Sequence, residues 1–146
     1  MSNNSSYPYS TWITVDLSAI ENNVSLLAAQ TGVPIMAVVK ANAYGHGTIP
    51  VARAALQGGA EWLGVARVEE ALELRNAQFT CPILVMGYSP ESILLEAVSS
   101  GISITLWSRA QIEFLSRLAR ELQLPAKVHL KIDTGMSRLG AAGPEA

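Results

Sequence analysis

The sequence is poor in the residues on which several common classes of protein depend. Its one cysteine, Cys81, cannot form an internal disulfide, so a thiol in a reducing cytoplasm is expected. Charged residues make up 15% of the chain and leave a net charge of −2, which gives no electrostatic basis for binding nucleic acid or an anionic membrane. No run approaches the ~20 uninterrupted apolar residues of a membrane helix.

Familiar ligand-binding motifs are also missing. The sequence has no glycine-rich dinucleotide fingerprint, no P-loop and no group of residues at metal-ligand spacing. The first ten residues contain neither the basic residues nor the apolar run of a secretory signal. Residues 1–11 are instead predicted to be a disordered tail. The sequence as a whole is 49% apolar, and residues 12–146 are predicted to form a folded α/β domain.

Helical and strand-like patterns alternate along this domain. After an opening segment, helix and strand follow each other repeatedly with short connections, which predicts parallel strands joined by right-handed crossovers. Both a five-stranded flavodoxin-like sheet and part of a (β/α)8 barrel fit this order. The predicted strands cover residues 35–40, 62–66, 82–86, 102–106 and 127–132.

The last of these strands favours the barrel. Lys127, His129 and Lys131 alternate with apolar residues, so the polar side chains share one face. A central strand of a doubly wound sheet is apolar on both faces, whereas a barrel strand can direct polar groups toward an interior ligand. A (β/α)8 barrel needs about 250 residues, so this chain of 146 predicts a partial TIM barrel, truncated before closure.

Capping patterns predict where some helices begin. Residues 12–17 are typical of a short strand, and Ser18 with Glu21 would form a capping box that begins the first helix. Ser108 with Gln111 predicts a second capping box, and Pro90 is expected in the first turn of a helix.

The most informative stretch is residues 37–47, with the sequence AVVKANAYGHG. A buried strand ends on Lys40 and gives way to a glycine-containing loop, at the position where α/β folds place their chemistry. The hydroxyl of Tyr44 could reach a bound anion from this loop. A lysine that snorkels at a strand end explains the spacing equally well. His46 has no ligand spaced to share a metal with it and is expected to be a hydrogen-bonded loop histidine.

Three segments, in order, resemble the alanine racemase family. They are WITVDLSAIENN at residues 12–23, AVVKANAYGHG at 37–47 and HLKIDTGMSRLG at 129–140, and the resemblance covers nearly the whole chain after residue 11. It implies a pyridoxal-phosphate enzyme built on a (β/α)8 barrel plus a carboxyl-terminal β domain. Such an enzyme is expected to be a cytoplasmic homodimer that interconverts L- and D-alanine and supplies D-alanine for peptidoglycan.

The resemblance also implies roles for four residues. Lys40 matches the lysine that holds the cofactor as a Schiff base and moves the α-proton on one face of the substrate. Tyr44 matches a phosphate-contacting tyrosine. Arg138 matches an arginine that contacts the cofactor's phenolic oxygen and approaches the substrate carboxylate. Lys131 matches a position that in some members is a carbamylated lysine orienting that arginine, the plainer interpretation being a lysine paired with Asp133.

The resemblance leaves the substrate open. The motifs bind cofactor, so a racemase of the same fold acting on serine or on a broader set of amino acids is an alternative, as is a non-catalytic pyridoxal-phosphate barrel protein. The family's opposite-face base comes from the β domain of the partner subunit, which lies beyond this sequence. The chain alone is therefore expected to be inactive.

Overall fold

The computed structural model describes residues 11–142, so the predicted tail falls, except for its last residue, outside the described part. The five strands form one parallel sheet in chain order, with β1 and β5 at its edges. This order confirms the partial barrel and excludes the flavodoxin-like alternative, in which the first strand lies between the second and the third. The strands are β1 Ile35–Val38, β2 Ala60–Val65, β3 Ile83–Val85, β4 Ser103–Leu106 and β5 Val128–Leu130.

Helices connect each strand to the next. The segment labelled α2 is a short turn that departs from right-handed geometry, and it is described with the site. None of the helices within residues 11–142 combines the length and the apolar character needed to cross a membrane. The helices are α1 Leu17–Thr31, α2 Lys40–Gly45, α3 Thr48–Gln57, α4 Val68–Asn76, α5 Glu91–Ser99 and α6 Arg109–Leu122.

The hydrophobic core lies between the sheet and the helices. Alternate residues of the central strands point outward into it, and Leu63, Val65, Ile83, Val85 and Ile104 are at most 1% exposed. They belong to one cluster with apolar residues of α4, α5 and α6. Each such side chain contributes about 1.5–3 kcal/mol by its burial, so this outer layer is what holds the sheet together.

The inner face of the sheet is curved. The rings of Trp62 on β2 and His129 on β5 lie 5.6 Å apart edge to face, although two strands separate them. Three strand spacings of a flat sheet would place these strands about 14 Å apart, so the curvature brings their side chains together. His129, at the centre of the polar face predicted for the last strand, therefore points into the concave interior.

Two predictions for helix starts, and one for a strand, are wrong. Residues 11–16 form no strand, since the described sheet offers them no partner. Helix α1 begins at Leu17 because Asp16 caps it, accepting a hydrogen bond from Ala19 N at 3.0 Å, and Ser18 lies inside the helix. Pro90 is the N-cap of α5 and not part of its first turn. The capping box predicted at the start of α6 is confirmed.

Candidate active site

The predicted site residues lie at one end of the sheet, on its two edge strands. Lys40 follows β1 and is half-buried, whereas Arg138 lies in the exposed loop that follows β5. Because the strands are parallel, both loops emerge at their carboxyl ends, where barrels of this kind place their ligands. The two side chains carry like charges, and no contact between them is recorded in residues 11–142.

The chain turns left-handed immediately after Lys40. The φ angles of the four residues from Ala41 to Tyr44 lie between 50° and 55°. A left-handed conformation costs roughly 1–2 kcal/mol for each non-glycine residue, so four in succession need about 4–8 kcal/mol of compensation from surrounding contacts. Backbone strain that the rest of a structure sustains in this way is concentrated at functional sites.

Contacts at the far end of the turn supply part of this compensation. The side chain of Asn42 accepts a hydrogen bond from Thr48 N at 3.0 Å, while its backbone oxygen accepts one from Gly47 N at 2.9 Å. Nδ1 of His46 lies 3.0 Å from the backbone oxygen of Ala43, which confirms the hydrogen-bonded loop histidine. The turn is thereby fixed to the start of α3.

Glu70 holds the near end of the turn. One carboxylate oxygen accepts a hydrogen bond from Ala41 N at 2.7 Å, and the other accepts from Ala66 N at 2.8 Å and Arg67 N at 3.0 Å. Burial acts to raise the pKa of Glu70, but the three backbone donors outweigh it and hold the pKa below its usual value. Glu70 is therefore a charged anchor between the ends of β1 and β2.

The turn places an amine and a phenol side by side. The Nζ atom of Lys40 lies 5.8 Å from the centre of the Tyr44 ring, within the range of a cation–π contact. Tyr44 is 61% exposed, and its hydroxyl has no hydrogen-bond partner among the described residues. Both groups are thus available to a ligand at the mouth of the sheet.

A second carboxylate shapes the loop after β5. Oδ1 of Asp133 accepts hydrogen bonds from Gly135 N at 2.9 Å and Ser137 N at 3.0 Å. The bond from Gly135, followed by that from Ser137, lowers the pKa of Asp133. The loop closes on itself because Asp133 N donates to the backbone oxygen of Ala141 at 2.9 Å. Arg138 stands on this closed loop with its guanidinium exposed and without a partner in residues 11–142.

Lys131 is half-buried, and its backbone continues the sheet by donating to Leu106 O at 2.8 Å. Lys131 and Asp133 form no ion pair, since the one in the described part of the chain joins Arg109 and Glu113, but the charge of Lys131 contributes to the lowered pKa of Asp133. The amine of Lys131 has no hydrogen-bond partner within that part.

The donors at this edge fit a ligand that carries an aldehyde and a phosphate. An amine can bind an aldehyde covalently, while a phenol and a guanidinium suit phosphate or phenolate oxygens. Lys40, Tyr44 and Arg138 offer these three groups at one end of the sheet, each without a hydrogen-bond partner in residues 11–142. Sequence reasoning missed Glu70, although its place three residues after Arg67, at the start of a helix, is a capping position.

Comparison with known proteins gives one consistent result. A family model described as the alanine racemase N-terminal domain matches residues 15–146. The alanine racemase of Methanococcus maripaludis is 48% identical over 131 residues, which are 88% of this chain and 35% of that protein.

Solved structures share the fold. The alanine racemase of Bacillus anthracis, with bound L-Ala-P, matches with a TM-score of 0.85 and 40% identity over 92% of this chain and 35% of its own. The histidine racemase of Leuconostoc mesenteroides subsp. sake matches with a TM-score of 0.81 and 32% identity over 86% of this chain and 34% of its own. The chain thus spans about 35% of the length of the relatives it matches.

Proposed function

This chain belongs to the alanine racemase N-terminal domain family, and we propose that it forms the amino-terminal part of the barrel of a pyridoxal-phosphate-dependent alanine racemase. The observation that carries the proposal is the left-handed turn, which follows Lys40 directly and presents Tyr44 beside its amine. The reaction is the interconversion of L- and D-alanine. The bound L-Ala-P of the Bacillus anthracis structure supports alanine as the substrate.

In the proposed reaction each residue of this chain has a distinct task. Pyridoxal phosphate, when bound, supplies an electron-withdrawing ring that weakens the bond between Cα and hydrogen of an amino acid. The amine of Lys40 would hold the cofactor's aldehyde and would take or return the proton at Cα on one face of the substrate. The hydroxyl of Tyr44 would donate to the phosphate. Arg138 would bind the phenolic oxygen and the substrate carboxylate, and Lys131, carbamylated, would orient it.

The rest of the enzyme is expected outside this sequence. The base for the opposite face of Cα would come from the β domain of a partner subunit, so we propose a homodimer as the active form. We further propose that the enzyme works in the cytoplasm and supplies D-alanine for peptidoglycan. The chain by itself would bind cofactor weakly and would not racemise.

Trapping of the cofactor tests the proposal on the chain itself. Pyridoxal phosphate is added, the mixture is reduced with borohydride, and the labelled peptide is identified by mass spectrometry. We expect the pyridoxyl label on Lys40, with its loss in Lys40→Arg and its retention in the matched control Lys127→Arg. Label spread evenly over the three lysines of the sequence, as in a urea-unfolded sample, would contradict a formed site.

One observation favours a second candidate, a racemase of other amino acids. The histidine racemase has the same fold over this region at 32% identity, so the fold of this region does not select the substrate. Assaying the full-length protein that carries this chain against a panel of L-amino acids separates the two. We expect alanine to be racemised fastest, and faster turnover of serine or histidine would favour the alternative.

A further inference from the structure

The peptide bond after Lys40 is held by a residue far away in the sequence. The amide nitrogen of Ala41 belongs to that peptide bond, and it donates to Glu70, 29 residues further along the chain, at 2.7 Å. The ψ angle of Lys40 describes how this peptide plane is rotated about the bond between Cα and the carbonyl carbon of the lysine. A contact that fixes it also fixes the direction in which the lysine side chain leaves the backbone.

The second oxygen of Glu70 attaches the turn to the neighbouring strand. It accepts hydrogen bonds from Ala66 N and Arg67 N, the first two residues after β2. Strands β1 and β2 are paired there, because Val39 N donates to Gly64 O at 2.8 Å. Glu70 thus continues the pairing of the two strands beyond their last ladder bond and up to the lysine.

Helix α6 shows that capping alone does not require a carboxylate. Gln111 occupies the same position in α6 as Glu70 does in α4, and its side-chain oxygen accepts from Trp107 N at 3.0 Å and Ser108 N at 3.1 Å. One amide oxygen therefore caps a helix in this fold. A glutamine at position 70 could cap α4 in the same way, but its NH₂ group would then face the N–H of Ala41. The left-handed turn after Lys40 therefore explains why position 70 carries a carboxylate, whose second oxygen accepts from Ala41 N.

We propose that Glu70 is a positioning residue for Lys40, holding the left-handed turn against the end of β2 so that the lysine amine points to the mouth of the sheet. The inference rests on the proposed function only in taking Lys40 as the cofactor lysine. In this role Glu70 acts through the backbone amides that it accepts from.

Two readouts on the chain test this role. In Glu70→Gln, hydrogen exchange at the Ala41 amide should become about tenfold faster, as the loss of a hydrogen bond to a charged group implies. The share of pyridoxyl label on Lys40, relative to the other lysines, should fall several-fold. Glu70→Asp keeps the charge but shortens its reach, so it should change both readouts as Glu70→Gln does, with faster exchange at Ala41 and a lower share of label on Lys40. The matched control Gln111→Ala removes an equivalent cap and should change neither.

The outcomes separate this inference from the proposed function. Label scattered over all lysines in the unaltered chain would contradict the proposed function. Hydrogen exchange at the Ala41 amide would still show whether Glu70 protects that amide. If the unaltered chain is labelled at Lys40 and Glu70→Gln is labelled equally well, the positioning role is overturned. Unchanged exchange at Ala41 in a folded Glu70→Gln variant, checked by circular dichroism, would overturn it too.

Discussion

The two loops at the carboxyl edge of the sheet are each shaped by one carboxylate, but from different distances. Glu70 reaches the turn after β1 from 29 residues away, whereas Asp133 bonds to residues two and four positions ahead in its own loop. The first loop depends on the packing of β1, β2 and α4, while the second depends on local sequence. One half of the candidate site, the tertiary half, is therefore held by contacts from distant parts of the chain. The other half is held by hydrogen bonds within its own loop.

The residues beside the two loops differ in burial in the same sense. Val39, between β1 and the turn, is 1% exposed, whereas Val128 and Leu130 of β5 are 52% and 59% exposed. Both β5 residues line an open apolar groove against α6. In a complete barrel the next βα unit would cover this groove, so the β5 half of the site is the less completely packed of the two.

The largest expected effect comes from matched valines on the two sides. Val39→Ala should lower the free energy of unfolding by about 2 kcal/mol, because a buried side chain loses two methyl groups and leaves a cavity. Val128→Ala should change it by less than about 0.5 kcal/mol, as for other exposed positions. Urea unfolding of the chain measures both, and equal losses would show that β5 is as well packed as β1.

The exposed side of β5 also predicts self-association. Two open sheet edges and an uncovered apolar groove favour dimers or larger species in the isolated chain. Leu130→Lys places a charge on the groove and should shift size-exclusion profiles toward the monomer. Leu95→Lys, on α5 and 52% exposed, should leave the profile unchanged. A sharp monomer peak for the unaltered chain, with a cooperative melt, would contradict the open half-barrel.

A smaller, local effect is expected from Asp133→Ala. The backbone amides of Gly135 and Ser137 lose their shared acceptor, so their hydrogen exchange should accelerate. Exchange in the turn at Ala41 should stay as it was, since no described bond of Asp133 reaches it. Faster exchange in both loops would mean that the two halves of the site are coupled, contrary to the comparison drawn above.

Sequence patterns were sufficient where the physics is local. The order of strands and helices followed from apolar periodicity, and the cap of α6 followed from Ser108 and Gln111. The strand predicted at residues 12–17 failed because a strand needs a partner, which the described sheet does not provide. The left-handed turn was beyond prediction, since alanine and tyrosine disfavour positive φ and long-range contacts sustain the turn. The roles of Lys40, Tyr44, Lys131 and Arg138 stay predictions.

The smallest effect is a pH dependence confined to the tertiary half. Because the folded state lowers the pKa of Glu70, the stability that its bonds contribute is present above the ordinary pKa of a glutamate and is lost as pH falls through the lower, folded value. After correction for intrinsic exchange, the Ala41 amide should therefore keep its protection through the ordinary carboxyl range and lose it only as pH falls further. The amide of Trp107, held in the equivalent bond by the non-titrating Gln111, serves as the internal reference. Glu70→Gln should abolish the difference between the two amides' pH profiles. Parallel loss of protection at both amides in the unaltered chain would instead indicate general acid unfolding.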